Sequence, residues 1–382
     1  MNPKNLMAAV LLAIVAGLVV VADQRPVRAG EVSATSGYKV LDPIRHGNLT
    51  IFPVVASKIY PTGEFLTLDE GLRSGEVVVT EAGNVQGLIR RRGVAQEHRY
   101  DGAQVNRLVL VNNSKRPLLL LAGEIVTGGK QDRVIGKDRI VPPESDPVDL
   151  NVFCVEPGRW VATSEHFGAS GAMYGGVSGS NASPPTALMA QPSVRAKAMA
   201  DKDQSKVWEE VRKQQSAETV AVMADAPMAG RELEQTSSYA RVMENSEVKK
   251  QVDSVAKPLE EHYRSLIREL KDRNAVGVVV AVNGRIIWAD VFASTDLLQK
   301  YWPKLVRSYA SEAVVTRAKD VEVTTNRAQA FLEDMEGRHE TIESEPGIYR
   351  HAEISGDGFK AFALTSLLPK TGFEVHVAKM AE

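Results

Sequence analysis

Between residues 118 and 160 the chain concentrates side chains able to handle a negatively charged group: Glu124, Lys130, Gln131, Arg133, Cys154, Glu156 and Arg159. Two glycines, Gly128 and Gly129, precede the cations and let the backbone approach a ligand closely. A guanidinium grips a carboxylate or phosphate through two parallel hydrogen bonds. Lys130, Arg133 and Arg159, with Gln131 hydrogen-bonding beside them, are therefore the candidate ligand-binding residues. Glu124 and Glu156 are the candidate catalytic residues, because a carboxylate can act as general base while arginines stabilise developing charge. Cys154 falls on an apolar strand face and reads as a small buried hydrophobe.

Strand alternation decides which of these side chains can meet. Across residues 148–156, one face carries Val148, Leu150, Val152, Cys154 and Glu156, a core face ending in a carboxylate. Asp149, Asn151, Phe153 and Val155 lie opposite, so part of that outer side is expected in water. If residues 130–135 are extended, Gln131, Arg133 and Ile135 share a face. Glu156-Pro157-Gly158-Arg159 suits a type II turn, with Pro second and Gly third, which returns Arg159 to the strand end. A carboxylate entering an apolar face needs a partner, and Arg133 or Arg159 is the natural one. The expectation is two adjacent β-segments whose cations and acid converge at a common opening. The plainer readings are a structural ion pair for Glu156 and a charged, solvated edge strand for Lys130 to Arg133.

The run Ala122-Gly123-Glu124, then Gly129-Lys130-Gln131-Asp132-Arg133, then Cys154-Val155-Glu156-Pro157-Gly158-Arg159-Trp160 resembles the ARG-and-rhodanese-phosphatase-superfamily-associated domain family. The hairpin at 277–292 and the helix containing Trp302, Pro303, Lys304, Leu305 and Tyr309 are similar to its second half. The resemblance brings no settled activity. Its name implies association with ADP-ribosyl-glycohydrolase and phosphatase-type domains, hence nucleotide-derived or phosphorylated ligands.

The elements around these motifs predict an α+β fold: a β-rich N-terminal region over 38–160, then an antiparallel sheet covered by helices on one face over 205–382. Thr67 and Glu70 form a capping box, with Gly75 placed to end the helix. Residues 161–204, rich in Gly, Ala and Ser, read as a flexible connector. Leu259, Tyr263, Leu266 and Leu270 make one helical stripe, while 220–231 gives no clear pattern. Asn283-Gly284 between apolar runs marks a type I′ hairpin. A helix capped near Ser294 follows, with Leu298, Trp302, Leu305 and Tyr309 inward and Pro303 expected to divide it. Asp290, inward at a strand end, is expected to cap that helix, and His376 is expected to be exposed.

At the N-terminus, Lys4, an uncharged run over 6–22 and Val27-Arg28-Ala29 read as a signal peptide over 1–29, with a membrane anchor as the alternative. Export to the periplasm or outside the cell is expected either way, with membrane contact only through an uncleaved segment. Of 382 residues, 43% are hydrophobic and 25% charged, which excludes a disordered chain and a polytopic membrane protein. A net charge of −2 does not indicate nucleic acid as a partner. One cysteine excludes an internal disulfide and cysteine-based metal clusters, and no metal-binding, nucleotide-binding or hydrolase motif appears. No cofactor and no metal are expected. The leading expectation is an exported module binding a small anionic ligand or a protein partner. A hydrolase built on Glu124 or Glu156 with Arg133 and Arg159, and a purely structural scaffold, are the alternatives.

Overall fold

The computed structural model of the protein describes residues 37–82, 107–159, 163–164, 166–168, 188–269, 274–319, 321–369 and 371–382. Its short apolar runs become strands buried on both faces, and alternation assigns each face to a different core. Leu118 and Leu120 enter one core, Leu119 and Leu121 another. In the same way, Leu49, Ile51 and Val55 face the main core, while Phe52, Val54 and Ala56 face a third.

Among the described residues the largest sheet has nine strands, ordered Tyr38–Val40, Leu49–Ala56, Ala275–Val282, Arg285–Phe292, Glu374–Ala381, Phe359–Ser366, Tyr349–Gly356 and Arg338–Glu345, with Ile44–His46 also on Leu49–Ala56. Every pairing in it is antiparallel. At the predicted hairpin, Asn283 and Gly284 both take positive φ, 51° and 72°. Leu49–Ala56 pairs with Ala275–Val282, so the sheet runs across the two regions distinguished in the sequence.

A second sheet is ordered His166–Phe167, Val77–Glu81, Arg107–Asn112, Val148–Cys154, Arg133–Ile135, Glu124–Val126 and Leu188–Met189. A smaller one joins Arg139–Val141, Leu118–Leu120 and Leu66–Thr67. Val77, Val79, Leu108, Leu110, Leu118, Leu120, Leu150 and Val152 fill a common core between them. The capping-box helix, Leu68–Ser74, starts at Thr67 and ends at Gly75 with φ 69°.

Helices Gln204–Asp225, Tyr239–Glu244, Ser246–Glu269 and Thr295–Val314 bury Val207, Val211, Tyr239, Val252, Leu259, Tyr263, Leu298 and Leu305 in the main core with Val278, Val280 and Phe292 of the large sheet. Thr325–Glu333 covers the reverse face through Ala328 and Leu332. The segment 220–231, without clear periodicity, ends one helix and begins another, Pro227–Leu233.

Sequence expectations are corrected at three places here, and at Asp290 below. Thr295–Val314 is continuous through Pro303. An interior proline costs about 3 kcal/mol, which burial of Leu298, Trp302, Leu305 and Tyr309 around it offsets. Of the supposed connector, 188–201 builds Leu188–Met189, helix Pro192–Ala196 and the π-helical turn Lys197–Asp201, with Val194, Ala198 and Met199 in the main core. The Gly- and Ser-rich part, 169–187, lies outside the described residues, as do the signal segment and Trp160. His376 is buried rather than exposed, because its strand is internal and covered on both faces. Among the described residues no helix is long and apolar enough to cross a membrane.

A sealed ionic network ties these layers together. Arg195 donates from Nη1 and Nη2 to the two oxygens of Asp290 at 2.9 and 3.0 Å, and from Nε to Ala122 O at 3.2 Å. His376 bridges Asp138 Oδ2 through Nδ1 at 2.6 Å and Asp290 Oδ1 through Nε2 at 3.1 Å. Ala122 N donates to Asp138 Oδ1, and the Tyr309 hydroxyl donates to Asp290 Oδ2. Asp290 thus joins a sheet to helices instead of capping one. Gly123 makes the network possible: at φ +95°, a Cβ there would stand 2.5 Å from Arg195 Cγ.

Burial alone would lower the His376 pKa, but Asp138 and Asp290 raise it to about 9. Burial would raise the Asp290 pKa, yet Arg195 and His376 hold it well below the carboxylate range. Two carboxylates, one guanidinium and one imidazolium then cancel. Because His376 is raised when folded, its contribution is complete below its ordinary pKa of 6.5 and is lost as pH rises through about 9. The urea midpoint of the wild type should therefore fall between pH 7 and about 9.5, and His376→Gln should lower it throughout while flattening that slope. Gly123→Ala should cost roughly 2–4 kcal/mol in urea unfolding, from the left-handed backbone and the clash with Arg195.

Candidate functional site

The Gly128–Arg133 loop leaves Glu124–Val126 and enters the strand Arg133–Ile135. Gly128 and Gly129 turn it with φ 128° and 50°. Thr127 and Gly168 exchange backbone hydrogen bonds at its base, at 2.9 and 3.0 Å. A Cβ at Gly129 would meet Phe167 Cζ at 2.3 Å and Glu81 Oε1 at 2.8 Å, so only glycine lets Glu81 lie this close.

The loop's amides are held by the protein's own carboxylates. Lys130 N donates to Glu81 Oε1 at 2.9 Å, Gly128 N to Asp132 Oδ1 at 3.1 Å and Asp132 N to Glu156 Oε2 at 3.2 Å. Ser238 Oγ donates to Asp132 Oδ2 at 2.8 Å, fastening the loop to the helical layer. Gln131 Nε2 donates to Glu156 O at 3.0 Å.

The proline–glycine turn behaves as its residues require. Gly158 has φ 98°, and Arg159 folds back to Glu156, Nη2 to Oε2 at 2.6 Å. Arg159 also lies 3.5 Å from Asp132 Oδ1 and donates to Gly129 O at 2.9 Å. Its side chain keeps 16% exposure, while Glu156 is buried. Of the two arginines offered as the partner of Glu156, it is Arg159 that pairs.

Arg133 sits differently. It is fully buried, because its strand lies between Val148–Cys154 and Glu124–Val126 and is not the solvated edge considered above. Nη1 donates to Gln131 O at 2.6 Å. Nε and Nη2, the edge of a guanidinium that takes a carboxylate side-on, have no hydrogen-bond partner among the described residues. Nη2 lies 4.0 Å from Glu81 Oε1, beyond hydrogen-bond range. Burial pulls the Arg133 pKa down, while Cys154, Glu81 and Asp132 push it up. Lys130, half-buried, and Arg159 form the wetter side of this corner.

Glu124 belongs to another set of contacts. Its oxygens take Lys304 Nζ and, at 2.7 Å, Leu121 N. Lys304 also donates to Asp69 Oδ2 at 2.6 Å, and Tyr301 donates to Leu119 O beside it. Burial raises the Glu124 pKa against the pull of Lys304. With both oxygens engaged and no exposure, Glu124 has the geometry of a structural ion pair.

Glu81, Asp132, Asp69 and Lys304 were missed as members of these clusters. Glu81 had a legible signal: it shares strand parity with the inward Val77 and Val79. Lys304 had a weaker one, one residue from the inward stripe of its helix. Among the described residues no group of three or more His, Cys, Asp and Glu is arranged to hold a metal ion.

Cys154 faces Arg133 across the strand pair. Burial pushes its thiol up to about 11, with Arg133 opposing and Glu81 and Glu156 adding. A thiol in that state is a poor nucleophile. Native protein at pH 8 should resist iodoacetamide for hours, whereas urea-unfolded protein should be alkylated stoichiometrically, read by intact mass.

The model of the ARG and Rhodanese-Phosphatase-superfamily-associated Protein domain matches residues 37–379. No curated protein and no solved structure matches the chain.

Proposed function

We propose, on the premise that this chain belongs to the ARG and Rhodanese-Phosphatase-superfamily-associated Protein family, that it is a binding module holding a small ligand by its carboxylate or phosphate group at the Arg133 corner. The observation that carries the reading is the unpartnered Nε–Nη2 edge of Arg133, sealed inside the fold. Leaving charged donors buried without acceptors costs several times what one ordinary hydrogen bond returns. A ligand oxygen pair on that edge would remove the penalty, and the partly exposed Arg159 and half-buried Lys130 mark the side on which the sealed edge has to open to admit it. Gln131 keeps a supporting role, because its amide nitrogen is committed to Glu156 O.

The hydrolase reading has less support. Glu156 already serves Asp132 N and Arg159, and Glu124 serves Lys304 and Leu121 N. Glu124 has both oxygens engaged in another cluster, and Glu156 already neutralises Arg159. The residue pattern over 1–29 supports an exported chain, with the ligand met outside the cytoplasm.

A thermal-shift and calorimetry panel of small carboxylates, amino acids, sugar phosphates and inorganic phosphate tests the reading. A binder at about a hundred times its Kd should stabilise the wild type by roughly 2.7 kcal/mol. Arg133→Lys, which keeps the charge and loses the fork, should weaken binding about tenfold or more. Absence of stabilisation by every member of the panel, or equal affinity in Arg133→Lys, would overturn it.

A further inference from the structure

The charges at this corner cancel. Arg133 and Arg159, with Lys130 on the adjoining loop, stand against Glu81, Asp132 and Glu156. A ligand with net negative charge would leave the corner unbalanced in a low-dielectric setting, where like charges repel strongly.

Glu81 sharpens the point. It is 5% exposed, its Oε1 is taken by Lys130 N, and its Oε2 has no hydrogen-bond partner among the described residues. The unpartnered edge of Arg133 and the unpartnered oxygen of Glu81 belong to groups only 4.0 Å apart. A plain carboxylate answers the arginine and sets its own lone pairs against Glu81, and a hydrogen phosphate, though it carries an O–H donor, brings net negative charge. Only a molecule with an acceptor pair and a donor on neighbouring atoms answers both.

Resting on the reading above, we propose that the ligand is a zwitterionic α-amino acid, its carboxylate on the Nε–Nη2 edge of Arg133 and its ammonium on Glu81 Oε2. Such a ligand adds no net charge and pairs each buried ion with its opposite. An α-hydroxy acid supplies the donor without the cation, so it binds more weakly. The close packing of Gly129 against Glu81 and Phe167 holds the acid in place for this task.

Calorimetry on the full chain with glycine, L-alanine, propionate, lactate, N-acetyl-L-alanine and inorganic phosphate is the test. L-Alanine should bind about ten- to a hundred-fold tighter than propionate or N-acetyl-L-alanine, the span expected for one charge-assisted hydrogen bond. Glu81→Gln should shrink that preference to roughly threefold or less while weak carboxylate binding persists. The ligand series alone decides the matter if the variant does not fold. Propionate or phosphate binding as tightly as L-alanine would overturn the amino-acid assignment and leave an anion site at Arg133. Binding by none of the six would overturn the amino-acid assignment, and the reading beneath it falls as well only if the wider panel, sugar phosphates included, also fails to bind.

Discussion

Charges sealed from water must cancel among themselves, and the Asp138–His376–Asp290–Arg195 network is where this fold meets that demand. Each member is fully buried and comes from a different part of the chain. Asp138 precedes a strand of the small sheet, Arg195 sits on a short helix, and Asp290 and His376 lie on neighbouring strands of the large sheet. An isolated buried ion is prohibitively costly, so no layer can shift without stranding a charge on another. Tyr309 adds the long helix, and the backbone of Ala122 adds the bend before Glu124. The Lys304–Asp69–Glu124 set repeats the device on a smaller scale, binding the capping-box helix to the long one.

The Arg133 corner is built by the same rule but stops short of completion. Around Arg195, bidentate geometry and a cation–π contact to Trp288 at 4.3 Å use the guanidinium fully. Around Arg133, one nitrogen finds a carbonyl and two find no hydrogen-bond acceptor among the described residues, with Glu81 no nearer than 4.0 Å. Two arginines of equal burial thus have opposite states of satisfaction. This contrast is the main support for a ligand at Arg133.

Local chemistry was legible where a few neighbouring residues settle the outcome. The Thr67–Glu70 box, the Asn283-Gly284 turn and the return of Arg159 to Glu156 each depend on contacts within four residues. Pro303, Asp290 and His376 misled for the opposite reason. A proline is tolerated when the helix faces around it are deeply packed, and an inward acid is read as a cap only while its distant arginine is unknown. His376 alternates away from apolar neighbours, which signals water only for a strand with one wet face; this strand has none.

By itself, then, the sequence determined the α+β class, the Asn283-Gly284 hairpin, the helix caps at Thr67 and Ser294 and the presence of a polar motif between residues 123 and 159. Those follow from backbone conformational preferences and side-chain periodicity, which act over one turn or one strand. Only the tertiary structure decided which acid meets which cation: Glu81 beside Arg133, Lys304 on Glu124, Arg195 on Asp290. Such pairings join residues 52, 180 and 95 positions apart. Electrostatic energy depends on distance in space and on exclusion of water, and neither is written in the spacing of letters along the chain.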